Sequence, residues 1–272
     1  MTINCLGKLV DVSLPKVMGI LNVTPNSFYD GGKYSDEKSI LDKVEKMLYE
    51  GATFVDVGAY SSKPSAEFVS EQDEISRLLP VLRLILQHFP KILISVDTFR
   101  ANVAKNAIQN GACIINDISA GGLDNKMMAT VAELRVPYVM MHMKGTPQTM
   151  QSLAQYENIT REMLHYFSEK VALARSYGIS DLIIDPGFGF AKTVEQNFEL
   201  LNNLELFQML DVPLLVGVSR KSMIYKTLDT KPDFALNGTT VLHTVALQKG
   251  ANILRVHDVK EAVEAIKLLS KL

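Results

Sequence analysis

The chain of 272 residues carries no excess of charge of either sign. Its 28 Lys and Arg residues stand against 30 Asp and Glu, a formal net charge of −2, and no basic run forms a stripe. That excludes nucleic acid or an anionic membrane as the main partner, since both ask for a basic surface. Cysteine is scarce too. Cys5 and Cys113 lie far apart, with neither a CxxC spacing nor a histidine placed as a co-ligand, so each reads as a core or surface thiol and not as a disulfide half or a metal ligand. The N-terminal MTINCLGKLVDV lacks the basic-then-apolar order of a signal peptide. No apolar run approaches the ~20 residues that span a bilayer. Nucleotide-binding glycine motifs are missing as well: around GFGFAKT (187–193), Pro186 and Ala191 stand where a phosphate loop requires glycine, and the pattern is not G-x-G-x-x-G. No Ser/His/Asp or Cys/His nucleophile set is evident. What remains is the expectation of a soluble protein of the reducing cytoplasm, 47% hydrophobic and long enough for a sizeable core.

What is present is one repeated unit. Its clearest copy is Ile183-Ile184-Asp185-Pro186-Gly187-Phe188-Gly189-Phe190-Ala191-Lys192-Thr193. An apolar strand ends in a carboxylate, a glycine turn brings backbone close to whatever lies above it, and Thr193 with Gln196 opens a helix through a capping box. One of the two phenylalanines is expected to overhang a cavity while the other fills core. Further strands are predicted at 16–23, 54–58, 91–98, 113–118, 136–143, 212–220 and 252–257. Helices are predicted at 35–51 with Ser35 as N-cap, at 71–89 kinked or split by Pro80, and at 100–111, 124–135 and 158–178. Two more follow Thr193 and Ser222, the latter reaching about 249, and the last covers 258–270 with Asp258 and Glu261 as its cap. Residues 2–12 read as a hairpin about Gly7 that plugs one end of the sheet.

Strict alternation of strand and helix over residues 1–272 predicts a single-domain α/β fold, a (β/α)8 TIM barrel with a short N-terminal β-hairpin. A doubly wound open sheet is the alternative. An internal echo favours the barrel: GATFVD (51–56), GACIIN (111–116) and GANILR (250–255) share a glycine, an alanine, a short strand and a polar residue at one offset. Helix C-termini demand the glycine. They do not demand the polar residue.

The polar residues at the strand ends are Asn22, Asp56, Asp97, Asn116, His142, Asp185, Ser219 to Ser222, Arg255 and His257. In a parallel barrel these ends share one mouth, and a polar group in an apolar strand must be paired or face a ligand. Asp56 is expected to orient a loop, and His142 reads equally as core or contact. Asp97, Asn116 and Asp185 form a donor–acceptor set suited to a flat, nitrogen-rich heterocycle of the guanine or pterin kind. Lys221 and Arg255, beside His257, Asn22 and the helix start at Ser222, form an anion site fit for a phosphate ester or pyrophosphate. The long loops 24–35, 59–70 and 143–157 are expected to close over a substrate.

MGILNVTPNSFYDGG (18–32), SVDT (95–98), INDISAGG (115–122), MHMKGTPQTMQ (141–151), DPGFGF (185–190), VGVSRKS (216–222) and RVHDV (255–259) together resemble the dihydropteroate synthases of the pterin-binding family, in order and at matching spacing along nearly the whole chain. The resemblance implies a transferase of folate biosynthesis. Such an enzyme joins 6-hydroxymethyl-7,8-dihydropterin pyrophosphate to p-aminobenzoate, releases pyrophosphate, uses Mg2+, is a homodimer, and is inhibited by sulfonamides. It further implies that Asp97, Asn116, Asp185 and Lys221 hold the pterin edge, with Met140 and Arg255 against its faces. Arg255 and His257 would bind pyrophosphate, and Asn22 the metal ion. Asp30 would stabilise a cation at the methylene carbon, while Phe190, Lys221 and Ser222 frame p-aminobenzoate, with Ser62 of the second loop lining its pocket and Lys63 of that loop reaching the pyrophosphate. That loop departs from the family pattern: residues 58–64 read GAYSSKP in place of GGESTRP, and Asn26 stands for an aspartate. Lys63 lacks the planar fork of arginine for a bidentate pyrophosphate contact, and Ser62 lacks a methyl group that would line the p-aminobenzoate pocket, so altered affinity for p-aminobenzoate and sulfonamides is expected. Two rivals would keep the barrel: a pterin-binding relative without turnover, and a methyltetrahydrofolate-using methyltransferase, which would leave the cationic cluster unexplained.

Overall fold

Alternate residues of a strand face opposite sides, so apolar residues at every position mean a sheet buried on both faces. In the computed structural model, which describes residues 1–23, 33–60 and 69–272, most barrel strands are of that kind. Two antiparallel strands come first, β1 (Thr2–Cys5) and β2 (Lys8–Asp11), turned by Leu6 and Gly7. Strand–helix units follow: β3 (Lys16–Asn22) with α1 (Lys33–Glu50), β4 (Phe54–Gly58) with α2 (Glu71–His88), and β5 (Ile94–Asp97) with α3 (Ala101–Gln109). Next are β6 (Ile114–Asp117) with α4 (Met127–Leu134), β7 (Tyr138–Met141) with α5 (Ile159–Ser176), and β8 (Leu182–Asp185) with α6 (Val194–Asn202). β9 (Leu215–Val216) leads to α7 (Ser222–Thr227) and α8 (Leu236–Gln248), and β10 (Ile253–Val256) leads to α9 (Val259–Leu269).

The strands β3 to β10 are parallel and ordered β8-β7-β6-β5-β4-β3-β10-β9, and a parallel bridge from Ile184 to Leu214 closes the ring. Every strand therefore neighbours its predecessor, which a barrel requires and a doubly wound sheet, with its reversal of order, does not allow. Met18, Phe54, Ile114, Val139, Ile183, Leu215 and Ile253 fill the lower barrel and cluster with Ile3, Cys5, Val10 and Val12 of the hairpin. The hairpin is the expected plug, and its Asn4 N–H donates to Asp181 Oδ2 at 3.2 Å. Outward residues of the strands, among them Val57, Val96, Tyr138 and Ile184, pack with Leu78, Phe167 and Leu200 of the helices. With one end plugged and the walls jacketed, the C-terminal mouth is where polar chemistry has room.

Several boundaries differ from those read off the sequence. α1 begins at Lys33, so Ser35 lies inside it. α2 runs through Pro80 unsplit, started by Ser70, whose Oγ accepts from Asp73 N at 3.1 Å. The strand at 212–220 shrinks to Leu215–Val216, because the Asn252 side chain takes the Leu214 N–H at 2.9 Å and the chain then turns, Lys221 N bonding Val218 O. The helix after Ser222 is two helices, α7 and α8, with Pro232 between them, where its ring and missing N–H break the helix. Asp258 makes no cap; its carboxylate takes Arg220 Nε and Nη2, both at 2.8 Å. The Thr193–Gln196 capping box is formed as expected. Among the described residues no helix is long and apolar enough to cross a membrane.

Candidate active site

The echo glycines Gly51, Gly111 and Gly250 all adopt left-handed φ, at 102°, 97° and 94°. The polar residue that follows each glycine five positions on then points into the barrel, and these three side chains meet. Asp56 Oδ2 accepts from Arg255 Nε at 2.7 Å and from Asn116 Nδ2 at 3.0 Å, while Arg255 Nη2 donates to Asp97 Oδ2 at 2.8 Å. Asp56 and Asn116 are buried; Asp97 and Arg255 keep 19% and 20% of their side chains open to the mouth. Asp56 is thus a barrel-interior anchor, not the loop-orienting group expected. That role falls to its outward counterpart Asp117, which accepts from Ser119 N, Gly121 N and the Tyr138 hydroxyl at 2.7–2.8 Å. Asp56 Oδ1 and Ser95 Oγ, on paired positions of β4 and β5, are buried with no hydrogen-bond partner among the described residues.

Charge is poised at this mouth. Burial opposes the Arg255 charge, but Asp56 and Asp97 overcome it and raise its pKa. Burial pushes Asp97 up to about 7, against the pull of Arg255 and with the push of Asp56. Asp185 also rises through burial, which Lys221 partly offsets. Lys221 falls to about 8 for the same reason, with Asp185 acting the other way. Asp97 and Lys221, near 7 and 8, would exchange a proton with a ligand at small energetic cost, while Arg255 stays charged.

The turn after β8 completes the wall. Asp185 Oδ1 accepts from Gly187 N at 2.8 Å. Gly187, at φ 69°, tolerates no side chain, since a Cβ would lie 2.3 Å from His142 O. Lys221 Nζ donates to Phe188 O and sits 4.8 Å over the Phe190 ring. Phe188 is fully buried, whereas Phe190 is partly open beside Ile118, Met141, Met143 and Met150, so the two phenylalanines divide as predicted. At the rim Ser219 Oγ lies 3.1 Å from His257 Nδ1 and accepts from His257 N at 3.1 Å. Burial and then Arg255 lower the His257 pKa. Ser222 is the first residue of α7, with Lys221 as its N-cap. Asn22 ends β3; its Oδ1 is 3.7 Å, and Asp97 Cβ 3.5 Å, from where a Cβ on Gly58 would stand.

Met140 is not at the mouth. It pairs with Ile184 and is buried in the outer core, while Met141 pairs with Asp185, faces inward, and lies 3.2 Å from the Cβ position of Gly187. His142 also points outward, edge-on to Tyr166 with centroids 4.7 Å apart. Tyr60 packs edge-on against Phe99 at 5.2 Å, with Arg100 5.5 Å from its ring. Asp30, Ser62 and Lys63 lie outside the described residues. Among the described residues no three His, Cys, Asp or Glu side chains are arranged to hold a metal ion. Asn22 offers a single neutral oxygen, which fits Mg2+ only if a ligand's phosphate oxygens and water complete the shell.

Residues 18–257 match the family model described as pterin binding enzyme. The dihydropteroate synthase of Escherichia coli K12 is 42% identical over 265 residues, covering 97% of this chain and 93% of its own length. Among solved structures, the Yersinia pestis dihydropteroate synthase with a sulfonamide drug superposes with a TM-score of 0.92 at 38% identity, covering 100% of this chain and 98% of that one. That of Xanthomonas albilineans in complex with 7,8-dihydropteroate gives 0.88 at 34%, with the same coverage. The chain belongs to the pterin-binding enzyme family and, within it, to the dihydropteroate synthases.

Proposed function

We propose that the chain condenses 6-hydroxymethyl-7,8-dihydropterin pyrophosphate with p-aminobenzoate to 7,8-dihydropteroate and pyrophosphate, a step of folate biosynthesis that sulfonamides block. The carrying observation is the network in which Asp56, Asp97, Asn116 and Arg255, from four strands, bond one another at the mouth beside Asp185 and Lys221. Asp97 and Asp185 supply acceptors, and Asn116 a donor and an acceptor, for the ring N–H and amino groups of a pterin edge. Lys221 donates to that edge as well, and Met141 takes the apolar contact assigned from sequence to Met140. Arg255 keeps its guanidinium charged above the ring, and with His257 it receives the pyrophosphate.

The leaving group departs first, since the pterin ring can share the resulting positive charge, and such a departure needs no nucleophilic side chain. Asp30 is assigned to that cation. The arylamine nitrogen then attacks, held between Phe190 and Lys221 with its carboxylate toward Ser222 and the start of α7. Asn22 would hold Mg2+ against the pyrophosphate, where the ion would neutralise leaving-group charge. Two further proposals complete the reading. Val241, Leu268 and Leu272, exposed by 54%, 73% and 98% on and beyond α8 and α9, favour a homodimer. Cys5 and Cys113, buried as free thiols, suit the cytoplasm.

Calorimetric titration with the pterin pyrophosphate, with and without Mg2+, followed by p-aminobenzoate, tests the order and the metal together. Tighter pterin binding with Mg2+ and arylamine binding only afterwards are expected. Arylamine binding that needs no prior pterin would overturn the sequence of events. In kinetics, Lys63→Arg and Ser62→Thr are expected to lower the p-aminobenzoate KM; no change in that KM or in sulfonamide inhibition would remove any role for the second loop's departures.

A further inference from the structure

The turn that carries Phe190 is held from behind by a lysine with no part in the reaction above. Lys192 is 4% exposed. Its Nζ donates to Gly187 O at 3.0 Å and to Phe190 O at 2.9 Å, and lies 3.1 Å from His142 Nδ1. In its charged form the amine has three N–H donors, and all three are engaged, two of them across the single turn 187–190. His142 can only accept here. Burial first, and then Lys192 itself, hold its pKa down to about 2, so the ring is neutral. None of these partners is a carboxylate. Burial lowers the Lys192 pKa to about 7, with the Asp185 carboxylate opposing the fall; a buried amine so placed is a poor way to fill a core compared with an apolar side chain, so packing alone does not account for it.

The turn needs holding. Gly187, Gly189 and Ala191 alternate in the left-handed region at φ 69°, 82° and 48°, and Ala191 does so with a Cβ. Tyr156 donates its hydroxyl to Ala191 O at 2.9 Å, and Asn197 Oδ1 accepts from Gly189 N at 2.7 Å. The preceding residue Asp185 is fixed separately by the strand ladder, its carbonyl taking His142 N at 3.0 Å. Release of the turn would therefore move Phe190 and the Phe188 carbonyl that receives Lys221 more than it would move the pterin-edge carboxylate.

The geometry points to Lys192, braced by Tyr156, as a positioning residue for the arylamine: it sets the width of the slot beside Phe190 without touching substrate. This rests on the reading that Phe190 lines that slot. The test is steady-state kinetics with both substrates varied, on Lys192→Met, Lys192→Gln and Tyr156→Phe, with Phe190→Ala as reference. Lys192→Met is expected to raise the p-aminobenzoate KM and the sulfonamide Ki about tenfold, the size of a lost hydrogen bond to a charged group. Tyr156→Phe is expected to raise both about threefold, as for a neutral hydrogen bond. Lys192→Gln, with two N–H donors left, should fall between. The pterin pyrophosphate KM should stay put in all three. Equal rises in both KM values, or none, in the Lys192 variants would reduce Lys192 to a fold-stabilising residue. If neither Lys192 variant folds, Tyr156→Phe decides, and an unchanged arylamine KM overturns the inference. Should Phe190→Ala leave the arylamine KM unchanged, the reading of Phe190 itself fails; a rise there with silent Lys192 variants sinks the inference alone.

Discussion

Arg255 is the residue on which most other side chains at the mouth depend. It neutralises a buried carboxylate on β4 and a largely buried one on β5, and each of those bonds is 2.8 Å or shorter. Arg255→Met would strand both, and breaking such buried pairs from one side is worth ~3–5 kcal/mol. Urea unfolding should show a loss of about 3 kcal/mol or more together with loss of pterin binding; near-wild-type stability would mean that water reaches Asp56. Asp97 gives a pH signature. With its pKa raised to about 7 by burial, the folded protein binds a proton that the unfolded chain, with an ordinary carboxylate pKa near ~4, has released. Stability of the unliganded protein should therefore fall as pH rises from about 4 to about 7, and Asp97→Asn should flatten part of that slope. If the ionised carboxylate accepts from the pterin, pterin affinity should weaken as pH drops below about 7, and Asp97→Asn should lose that dependence along with most of the affinity. A pH-independent dissociation constant in the wild type would contradict the assignment.

At the scale of elements, the β8–α6 turn and the N-terminal hairpin make separate demands. Gly187→Ala would drive a Cβ to 2.3 Å from the His142 carbonyl in a left-handed conformation. Strain of that kind costs ~1–3 kcal/mol, and thermal unfolding should register it together with a raised KM for both substrates. Removing residues 1–12 uncovers Met18, Phe54, Ile114 and Ile253 at the closed end while leaving the mouth untouched. The expected result is a lower Tm and an unchanged pterin KM at temperatures where the shortened chain is folded. The strands and most helices were legible because alternation and glycine ends are local. Where tertiary contacts intervened, they were not: Asn252 shortens β9, and Arg220 takes Asp258 away from its cap. Met140 shows how narrow the margin is, since a shift of one residue along a strand exchanges core for mouth.

At the scale of the whole molecule, the barrel turns residues scattered over 234 positions, from Asn22 to Arg255, into one charged mouth above a plugged interior. The sequence reading anticipated that convergence from strand ends alone, and the recurring offset after Gly51, Gly111 and Gly250 marked the three side chains that bond one another. It could not anticipate which charges pair, because pairing is a matter of distance across the barrel: Asp56 looked like a loop anchor until Arg255 met it. Lys192 is likewise not marked in the sequence, since a side chain that acts from behind the wall leaves no trace in local pattern. Activity therefore requires the mouth to work as a unit. The direct measurement is product formation by the purified chain supplied with the pterin pyrophosphate, p-aminobenzoate and Mg2+. Equimolar 7,8-dihydropteroate and pyrophosphate, suppressed competitively by a sulfonamide and abolished in Arg255→Met, is the predicted result. Tight pterin binding by the wild type with no dihydropteroate formed would contradict it.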